Sequence, residues 1–260
     1  MKTIHSVAGD RFSVETHEYG RGEPLLFLHG AGGLTGFEPF LEELGKDFRV
    51  IAPHLPGFGE STGGELIEDV IDAALFYHQF MGDLGIPSAN IIGHSMGGML
   101  AAEVAALDSH RAKRLVLVGA AGFWIDAHPI PDVFALDLSE LGGYLFHDPE
   151  SPLAKMFLAI PEDTQQLTDM YVERVKRFST ASKFLWPIPD RGLKKRAYRI
   201  STPTLLVWGE SDRLVPPVYA DEFTSRIRNT RIEIVKHAGH MLPYEQTEAF
   251  VKVVRKFLES

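Results

Sequence analysis

Cysteine is absent from the chain, which excludes disulfide bonds, thiolate metal ligands and a cysteine nucleophile. No uninterrupted apolar run approaches the length needed to span a membrane, and residues 1–7 lack the apolar stretch of a secretion signal. These absences predict a soluble, cytoplasmic protein.

Positive charge is also scarce, because 26 Lys and Arg residues stand against 35 Asp and Glu residues and leave a net charge of −9. This balance argues against nucleic acid or an anionic membrane surface as a partner, since a phosphate-binding face needs clustered Lys and Arg. The one basic cluster, residues 191–199, is predicted to be a solvated helix face. A small molecule is the expected partner, and the sequence leaves the oligomeric state open.

Short apolar runs alternate with helical stretches from Leu25 onward, and 260 residues of which 45% are hydrophobic suffice for one large core. Six runs are predicted as strands: 25–28, 49–53, 90–93, 115–118, 204–208 and 231–235. Continuous apolar runs separated by helices are typical of parallel strands buried on both faces, so the pattern predicts an α/β protein with a mostly parallel, doubly wound sheet. Residues 6–8 and 12–19 are predicted to form an antiparallel hairpin at its N-terminal edge.

The alternation stops between Gly119 and Thr202, where Pro and aromatic residues become frequent. We interpret residues 121–202 as an inserted helical lid over the strand ends, and residues 1–120 with 203–260 as the core. An apolar substrate pocket is predicted to be lined by Phe123, Trp124, Trp186 and Met241. The alternative for each aromatic residue is ordinary packing.

The pentapeptide Gly93-His94-Ser95-Met96-Gly97 is a G-x-S-x-G motif between a predicted strand and a predicted helix at residues 97–107. The sharp turn that this motif forms pushes the serine side chain out of the backbone path, to where a base can reach it. A Cβ atom at either outer glycine would clash with such a turn. The motif therefore predicts a nucleophile at Ser95.

A serine nucleophile needs a general base and a carboxylate that orients the base. His240 follows the last predicted strand and has a glycine beside it, so we predict that it is the base. Asp212 lies in the turn after the strand at 204–208, where functional side chains gather in open α/β sheets, and is the predicted carboxylate. Glu210 is its main rival, and Asp126 would have to reach back from the insertion.

Backbone N–H groups are the expected donors to an oxyanion, because they are fixed in place before charge develops. Met96, at the amino end of the helix after the serine, is predicted to supply one donor. Ala31, with Gly32 in reserve, is predicted to supply the other from the Gly-rich loop after the strand at 25–28. That loop lacks the nucleotide-binding fingerprints, so no cofactor is expected.

No metal site is predicted either. The eleven histidines are scattered along the chain, and His237 with His240 lacks a third convergent ligand.

The order Ser95, Asp212, His240 along the chain is that of α/β-hydrolases. The whole chain resembles the lid-bearing α/β-hydrolases, a group that includes carboxylesterases, meta-cleavage-product C–C hydrolases, epoxide hydrolases, haloalkane dehalogenases and cofactor-free haloperoxidases. The resemblance is carried by His29-Gly30, by Leu55-Pro56-Gly57-Phe58-Gly59-Glu60-Ser61, by the glycines around Ser95, by residues 209–216 and by Gly239-His240. One departure is His54, where the family usually has an aspartate.

The resemblance implies a hydrolase, and Ser95 argues against the epoxide hydrolases and the dehalogenases, which use an aspartate nucleophile. The C–C hydrolases usually have Pro, Asn and Trp where this chain has Gly33, His94 and Met241. The favoured prediction is therefore an ester hydrolase that acts on small to medium apolar esters through an acyl-enzyme.

Three alternatives stay open. Hydrolysis of a C–C bond in a dienol acid would need a cationic clamp for the carboxylate, for which Arg177 and Arg191 are the candidates. Cofactor-free perhydrolysis would use the same residues as ester hydrolysis. A catalytically idle ligand receptor would bind a small molecule without reacting.

Overall fold

The computed structural model describes residues 1–188 and 190–260, so Pro189 of the predicted insertion lies outside the described residues. The strands are β1 (Lys2–Val7), β2 (Phe12–Tyr19), β3 (Glu23–Leu28), β4 (Phe48–Pro53), β5 (Ala89–His94), β6 (Ala112–Val118), β7 (Thr204–Gly209) and β8 (Thr230–Val235). The helices are α1 (Pro39–Leu44), α2 (Val70–Asp83), α3 (Met96–Leu107), α4 (Leu138–Leu145), α5 (Pro152–Phe157), α6 (Thr164–Leu185), α7 (Val218–Thr224), α8 (Leu242–Glu245) and α9 (Thr247–Leu258). Within these ranges, no helix combines the length and the apolar character that crossing a membrane requires.

The strands form one sheet in the order β1-β2-β4-β3-β5-β6-β7-β8. β2 pairs antiparallel with both β1 and β4, and the other neighbouring strands pair in parallel. The predicted α/β class, the mostly parallel sheet and the antiparallel N-terminal edge are thereby confirmed.

Helices cover the sheet on both faces, which is why the central strands contain continuous apolar runs such as residues 25–28 and 115–118. On one face, Phe80 of α2 and Leu100 of α3 belong to a continuous buried cluster. On the other face, Phe40 of α1 and Phe250 of α9 belong to a second cluster. The prediction of burial on both faces is wrong for β8, whose residues 231–234 are exposed because β8 is the edge strand of the sheet.

Between β6 and β7 lies a helical segment (residues 119–203) that contains α4, α5 and α6. Asp163 caps α6 by accepting a hydrogen bond from Gln166 N–H, which explains where this 22-residue helix begins. Side chains of α6 hold it against loops of the core. Lys176, Thr180 and Lys183 donate to the carbonyl oxygens of Gly59, Gly57 and Gly64, respectively.

The basic cluster at residues 191–199 is a solvated face only in part, because Lys194, Lys195 and Arg199 are exposed whereas Arg196 is half-buried. The cluster forms two short 3₁₀ turns, and Arg196 donates two hydrogen bonds, of 2.7 and 2.6 Å, to the carboxylate of Glu103 on α3. Glu103 is fully buried, so its charge requires a partner. This ion pair fastens the end of the helical segment to the helix that begins next to Ser95.

We expect Arg196→Met to lower the free energy of unfolding by about 3 kcal/mol, because it leaves the buried Glu103 carboxylate without its counter-charge. Urea denaturation followed by circular dichroism measures the loss. The double variant Glu103→Leu/Arg196→Met removes both charges and should recover most of the free energy of unfolding that the single variant loses. Equal stability of the single variant and the native chain would contradict this role for the pair.

Candidate active site

The turn between β5 and α3 holds Ser95 in a strained conformation, with φ 57° and ψ −119°. This region of φ is costly for a residue other than glycine, by roughly 1–3 kcal/mol. The two outer glycines permit it. A Cβ atom on Gly93 would lie 2.2 Å from the carbonyl oxygen of Gly97, and one on Gly97 would lie 2.1 Å from that of Leu28, so the predicted clashes are confirmed.

Backbone hydrogen bonds fix the strained turn in place. Ser95 N–H donates to the carbonyl oxygen of Val118 at 2.9 Å, and the Ser95 carbonyl oxygen accepts from Ala121 N–H at 3.1 Å. Both partners belong to β6 or to the loop after it. The serine is therefore anchored through its backbone, while its hydroxyl makes no hydrogen bond within the described part of the chain.

The structure brings Asp212 and His240 together, as predicted from their positions after β7 and β8. Asp212 Oδ2 lies 2.9 Å from His240 Nδ1, and both side chains are buried. Asp212 Oδ1 accepts from the N–H groups of Leu214 and Val215 at 3.0 and 2.8 Å. The Asp212 carboxylate is thus held by two backbone N–H groups and by the imidazole. Because Oδ2 accepts from the protonated Nδ1 of His240, Nε2 of His240 remains free to contact another group.

Gly119, at the end of β6, provides the space for this pair. It has a φ of +49°, and a Cβ atom there would lie 3.0 Å from Asp212 Oδ2 and 3.3 Å from His240 Nδ1. The turn after β6, Gly119-Ala120-Ala121-Gly122, has no carboxylate of its own, and its small residues let Asp212 approach from the loop after β7.

The loop that carries His240 is tied down by residues that sequence reasoning did not identify. The His240 carbonyl oxygen accepts from Nε2 of His94 at 2.8 Å, and Met241 N–H donates to the carbonyl oxygen of Leu145 at 2.9 Å. Burial lowers the pKa of His94 to about 3, so this imidazole is neutral and carries its proton on Nε2. Glu245 accepts from Gly239 N–H at 2.7 Å and, with its other oxygen, from His147 N–H of the helical segment.

The loop after β3 lies next to the serine, and its backbone is also held. His29 accepts from Leu55 N–H at Nε2 and donates from Nδ1 to the Gly30 carbonyl oxygen at 2.8 Å, while burial lowers its pKa to about 4. Arg177 of α6 donates to the carbonyl oxygen of Gly32 at 3.2 Å. Neither Ala31 N–H nor the N–H of Met96 donates a hydrogen bond within residues 1–188 and 190–260, so both donors are available to a ligand.

Two cavities meet at Ser95. The larger, of about 660 Å³, is lined by Ser95, His240 and Ala31 and, from the helical segment, by mostly apolar side chains such as Leu141 and Phe178. The smaller cavity has a volume of about 70 Å³ and shares four lining residues with the larger one: Ala31, Ser95, Val133 and Leu214. Its other lining residues are mostly apolar: Met99, Ala121, Gly122, Phe123, Ile130, Pro131, Leu185, Ile188, Arg191 and Val215. A small molecule with its reacting bond at Ser95 would extend into both cavities.

Of the four predicted pocket residues, two line a cavity at Ser95 and two do not. Phe123 lines the smaller cavity and Met241 lines the larger one. Trp186 does not belong there, because it is 52% exposed and borders a groove on the outer side of α6. Trp124 also lies outside both linings, because its indole N–H donates to exposed Asp126 and holds the ring at the surface.

The rivals for the carboxylate are also placed elsewhere. Glu210 is exposed and accepts, at 3.5 Å, from the backbone N–H of His237. Asp126 is occupied by Trp124, as described above. Among the described residues, only Asp212 forms an ion pair with His240.

Chemically, the site offers a hydroxyl on a strained turn, an oriented imidazole in the same cavity and two free backbone N–H groups. The described residues show no hydrogen bond between Ser95 and His240, and such bonds are commonly long before substrate binds. No group of three His, Asp or Glu side chains able to share a metal gathers at this cavity within the described ranges.

Comparison with known proteins agrees with the fold described above. The model of the alpha/beta hydrolase family matches residues 25–253. The chain is 25% identical over 276 residues to the 2-hydroxy-6-oxo-6-phenylhexa-2,4-dienoate hydrolase of Burkholderia cepacia, which covers 98% of this chain and 94% of that protein. It is 26% identical over 259 residues to Lipase 3 of Moraxella sp. (strain TA144), and this match covers 93% of this chain and 79% of that protein. An esterase of Exiguobacterium antarcticum has a similar fold, with a TM-score of 0.80 and 21% identity over 100% of both chains.

Proposed function

The chain belongs to the alpha/beta hydrolase family, and on this premise we propose that it is a serine hydrolase that cleaves small to medium apolar carboxylic esters. The observation that carries the proposal is that Ser95, on its strained turn, and the imidazole that Asp212 orients line one apolar cavity. Its relatives include proteins named as lipases and as dienoate hydrolases, and both kinds of name fit a site built for a small, mostly apolar substrate.

In the proposed mechanism, His240 Nε2 accepts the proton of the Ser95 hydroxyl as Ser95 Oγ attacks the ester carbonyl carbon. His240 then gives this proton to the leaving alcohol, and an acyl-enzyme remains. A water molecule, deprotonated by the same imidazole, attacks the acyl carbon, and the imidazole returns this proton to Ser95 Oγ as the acid leaves. Asp212 keeps the proton of His240 on Nδ1 and stabilises the cationic imidazole without becoming protonated.

The oxyanion formed at each attack is proposed to accept hydrogen bonds from the N–H groups of Ala31 and Met96. Both N–H groups are free of protein acceptors among the described residues, and Met96 begins α3, where the helix dipole favours negative charge. The hydrogen bond from Arg177 to the carbonyl oxygen of Gly32 connects the loop that carries Ala31 to α6.

We propose that the helical segment acts as a lid, as the sequence predicts for residues 121–202. It supplies much of the lining of the larger cavity and makes hydrogen bonds with the loops around the site, among them Arg177 with Gly32, Leu145 with Met241, and His147 with Glu245 and Ser211. A cover of this kind excludes water from the oxyanion and strengthens the hydrogen bonds to it.

The unequal cavities suggest that the enzyme restricts one side of the ester more than the other. Met99 lies one helical turn after Ser95, is fully buried and lines the smaller cavity. We expect Met99→Ala to enlarge that cavity. The ratio of kcat/KM for an ester with a butyl group in the smaller cavity to kcat/KM for one with an ethyl group there should rise by roughly tenfold.

Two ester series measure this change. One varies the acyl chain of p-nitrophenyl esters, and the other varies the alcohol of alkyl acetates. Leu138→Ala is the matched control, since Leu138 lines only the larger cavity. Unchanged chain-length profiles in both series for Met99→Ala would contradict the assignment of the smaller cavity.

The proposed function is tested by labelling the protein with a fluorophosphonate and by assaying a panel of esters, lactones and amides. A serine hydrolase becomes labelled at Ser95 and turns over esters, with the label blocked by prior incubation with a slow ester. A catalytically idle receptor would bind apolar ligands without labelling or turnover. Perhydrolysis is distinguished by adding hydrogen peroxide and measuring peracid.

Hydrolysis of a C–C bond in a dienol acid is the second candidate, and one observation favours it. Arg191 lines the smaller cavity together with Ser95, and its guanidinium donates one hydrogen bond to the carbonyl oxygen of Lys183, so its other N–H groups could bind a substrate carboxylate. Arg177, the other predicted clamp, lines the larger cavity and donates to Gly32. Loss of the dienone chromophore on incubation, abolished by Arg191→Gln while ester turnover persists, would support this candidate over the ester hydrolase.

A further inference from the structure

Three side chains of ligand type lie together on the N-terminal hairpin and in the loop after β4, outside both cavities at Ser95. Glu15 Oε1 is 3.1 Å from His17 Nε2 and 3.9 Å from His54 Nε2. One ligand atom from each of the three residues lies within 4.8 Å of the other two. These residues form the Glu15–His17–His54 cluster.

Backbone pairing sets this cluster in place. Glu15 and His17 are two residues apart on β2, so their side chains project from the same face of the strand. β2 pairs with β4 through Thr16 and Pro53, and the ladder continues as His54 N–H donates to the Glu15 carbonyl oxygen at 2.8 Å. The three side chains therefore meet without help from flexible loops.

The imidazole of His54 has no hydrogen-bond partner among the described residues, although its residue is only 6% exposed. Its Nδ1 is buried and unpaired, and its Nε2 points toward the carboxylate of Glu15 from 3.9 Å. Nε2 is thus left without a hydrogen bond among the described residues, and an imidazole nitrogen is a common metal ligand.

Glu15 provides the negative charge. Its oxygens accept hydrogen bonds from Glu60 N–H and His17 and form an ion pair with Lys2. The Glu60 N–H binds Oε2 at 2.7 Å and leaves Oε1 facing the imidazoles. Lys2, which is half-exposed, contacts Oε1 at 3.1 Å but has a second partner in Glu60 at 2.8 Å, so it can leave Oε1 without losing its ion pair.

We propose that the Glu15–His17–His54 cluster binds one divalent transition-metal ion of the zinc class, with Glu15 Oε1, His17 Nε2 and His54 Nε2 as ligands and water as the fourth. Ligands about 2.0–2.1 Å from a tetrahedral zinc ion are separated from one another by about 3.3 Å, a value between the two distances measured here. The ion enters beside His17, whose side chain is about a fifth exposed. For Nε2 to bind the ion, the His17 ring carries its proton on Nδ1.

A metal at this position would join β2 to the loop that begins at His54. The His54 ring lies 5.7 Å, between ring centroids, from that of His29, which in turn holds Gly30 of the loop beside Ser95. Binding should therefore stiffen the N-terminal half of the sheet and raise Tm, since an ion that binds only the folded chain stabilises it.

The test titrates ZnCl₂ into the untagged, EDTA-treated full chain in competition with a chromogenic chelator. We expect one ion per chain, a rise in Tm with added zinc, and at least a tenfold loss of affinity in His17→Gln. The matched control is His5→Gln. His5 Nε2 and Glu18 Oε1 form a similar pair at 3.2 Å on the same hairpin, but it lacks a third ligand, so this variant should bind zinc as the native chain does.

A second readout uses Co²⁺, whose visible absorption intensifies in a tetrahedral site. The band should appear in the native chain and in His5→Gln and be lost in His17→Gln, with circular dichroism showing that each variant is folded. His54→Gln should also lose the Co²⁺ absorption band. If His54→Gln does not fold, the test depends on His17→Gln alone. Failure of the native chain to bind one ion, or equal binding by His17→Gln and His5→Gln, would overturn the proposal.

Discussion

Replacement of Ser95 by alanine is expected to lower ester turnover by about 10⁶-fold, close to the loss of all enzymatic catalysis. The variant keeps both free N–H groups and the His240–Asp212 pair, but no atom remains to form the acyl-enzyme. Alanine has the same Cβ as serine at the strained φ of 57°, so the fold and Tm should change little. Steady-state kinetics with a chromogenic short-chain ester, together with fluorophosphonate labelling, measure the effect.

The control for this loss is another serine whose hydroxyl serves no part of the site. Ser225 is exposed at the end of α7 and donates only to the carbonyl oxygen of Glu222. Ser225→Ala should therefore retain turnover and labelling. Labelling of Ser95→Ala at the native rate would place the nucleophile elsewhere and remove the basis of the proposed mechanism.

The positions of the central strands were predictable because these strands obey a simple rule. Residues 25–28 and 115–118 are apolar throughout, since helices cover the sheet on both faces, and such runs are visible in a single sequence. The exposed β8 breaks this rule. Its isoleucines, Ile232 and Ile234, look like core residues in the sequence but are 38% and 46% exposed.

The pairing of Asp212 with His240 was also within reach of the sequence, because both residues directly follow strands whose carboxyl ends share one edge of the sheet. The supports of that pair were not. His94 and Glu245 hold backbone groups of the His240 loop with their side chains, and Leu145 holds Met241 N–H with its carbonyl oxygen; because each bond ends on a backbone group, no pairing of residue types in the sequence indicates it.

Aromatic content misled the prediction of the pocket for a related reason. Trp186 ends α6 at the surface, whereas aliphatic residues such as Leu141 and Val133 line the cavities, and helical periodicity alone does not tell which face of an inserted helix is turned inward. His54 is the opposite case. It stood out as a departure from the family pattern, but its two neighbours in the Glu15–His17–His54 cluster emerged only from the pairing of β2 with β4.

Asp212→Asn is expected to lower kcat by about 10⁴-fold while leaving the fold intact. The hydrogen bonds of Asp212 give the reason. Oδ1 accepts from the N–H groups of Leu214 and Val215, so the amide oxygen of asparagine must take that position and the NH₂ group must face His240 Nδ1. An NH₂ donor there forces Nδ1 to be the acceptor and moves the imidazole proton to Nε2, where it blocks removal of the proton from Ser95.

The matched control is Glu210→Gln, which makes the same chemical change two residues earlier on the same turn. Glu210 is exposed and reaches only the backbone of His237, so this variant should keep nearly full kcat. NMR of the imidazole nitrogens would follow the tautomer directly, with the proton of His240 on Nδ1 in the native chain and in Glu210→Gln, and on Nε2 in Asp212→Asn. A mild kinetic loss in Asp212→Asn, with the proton still on Nδ1, would mean that another group orients the base.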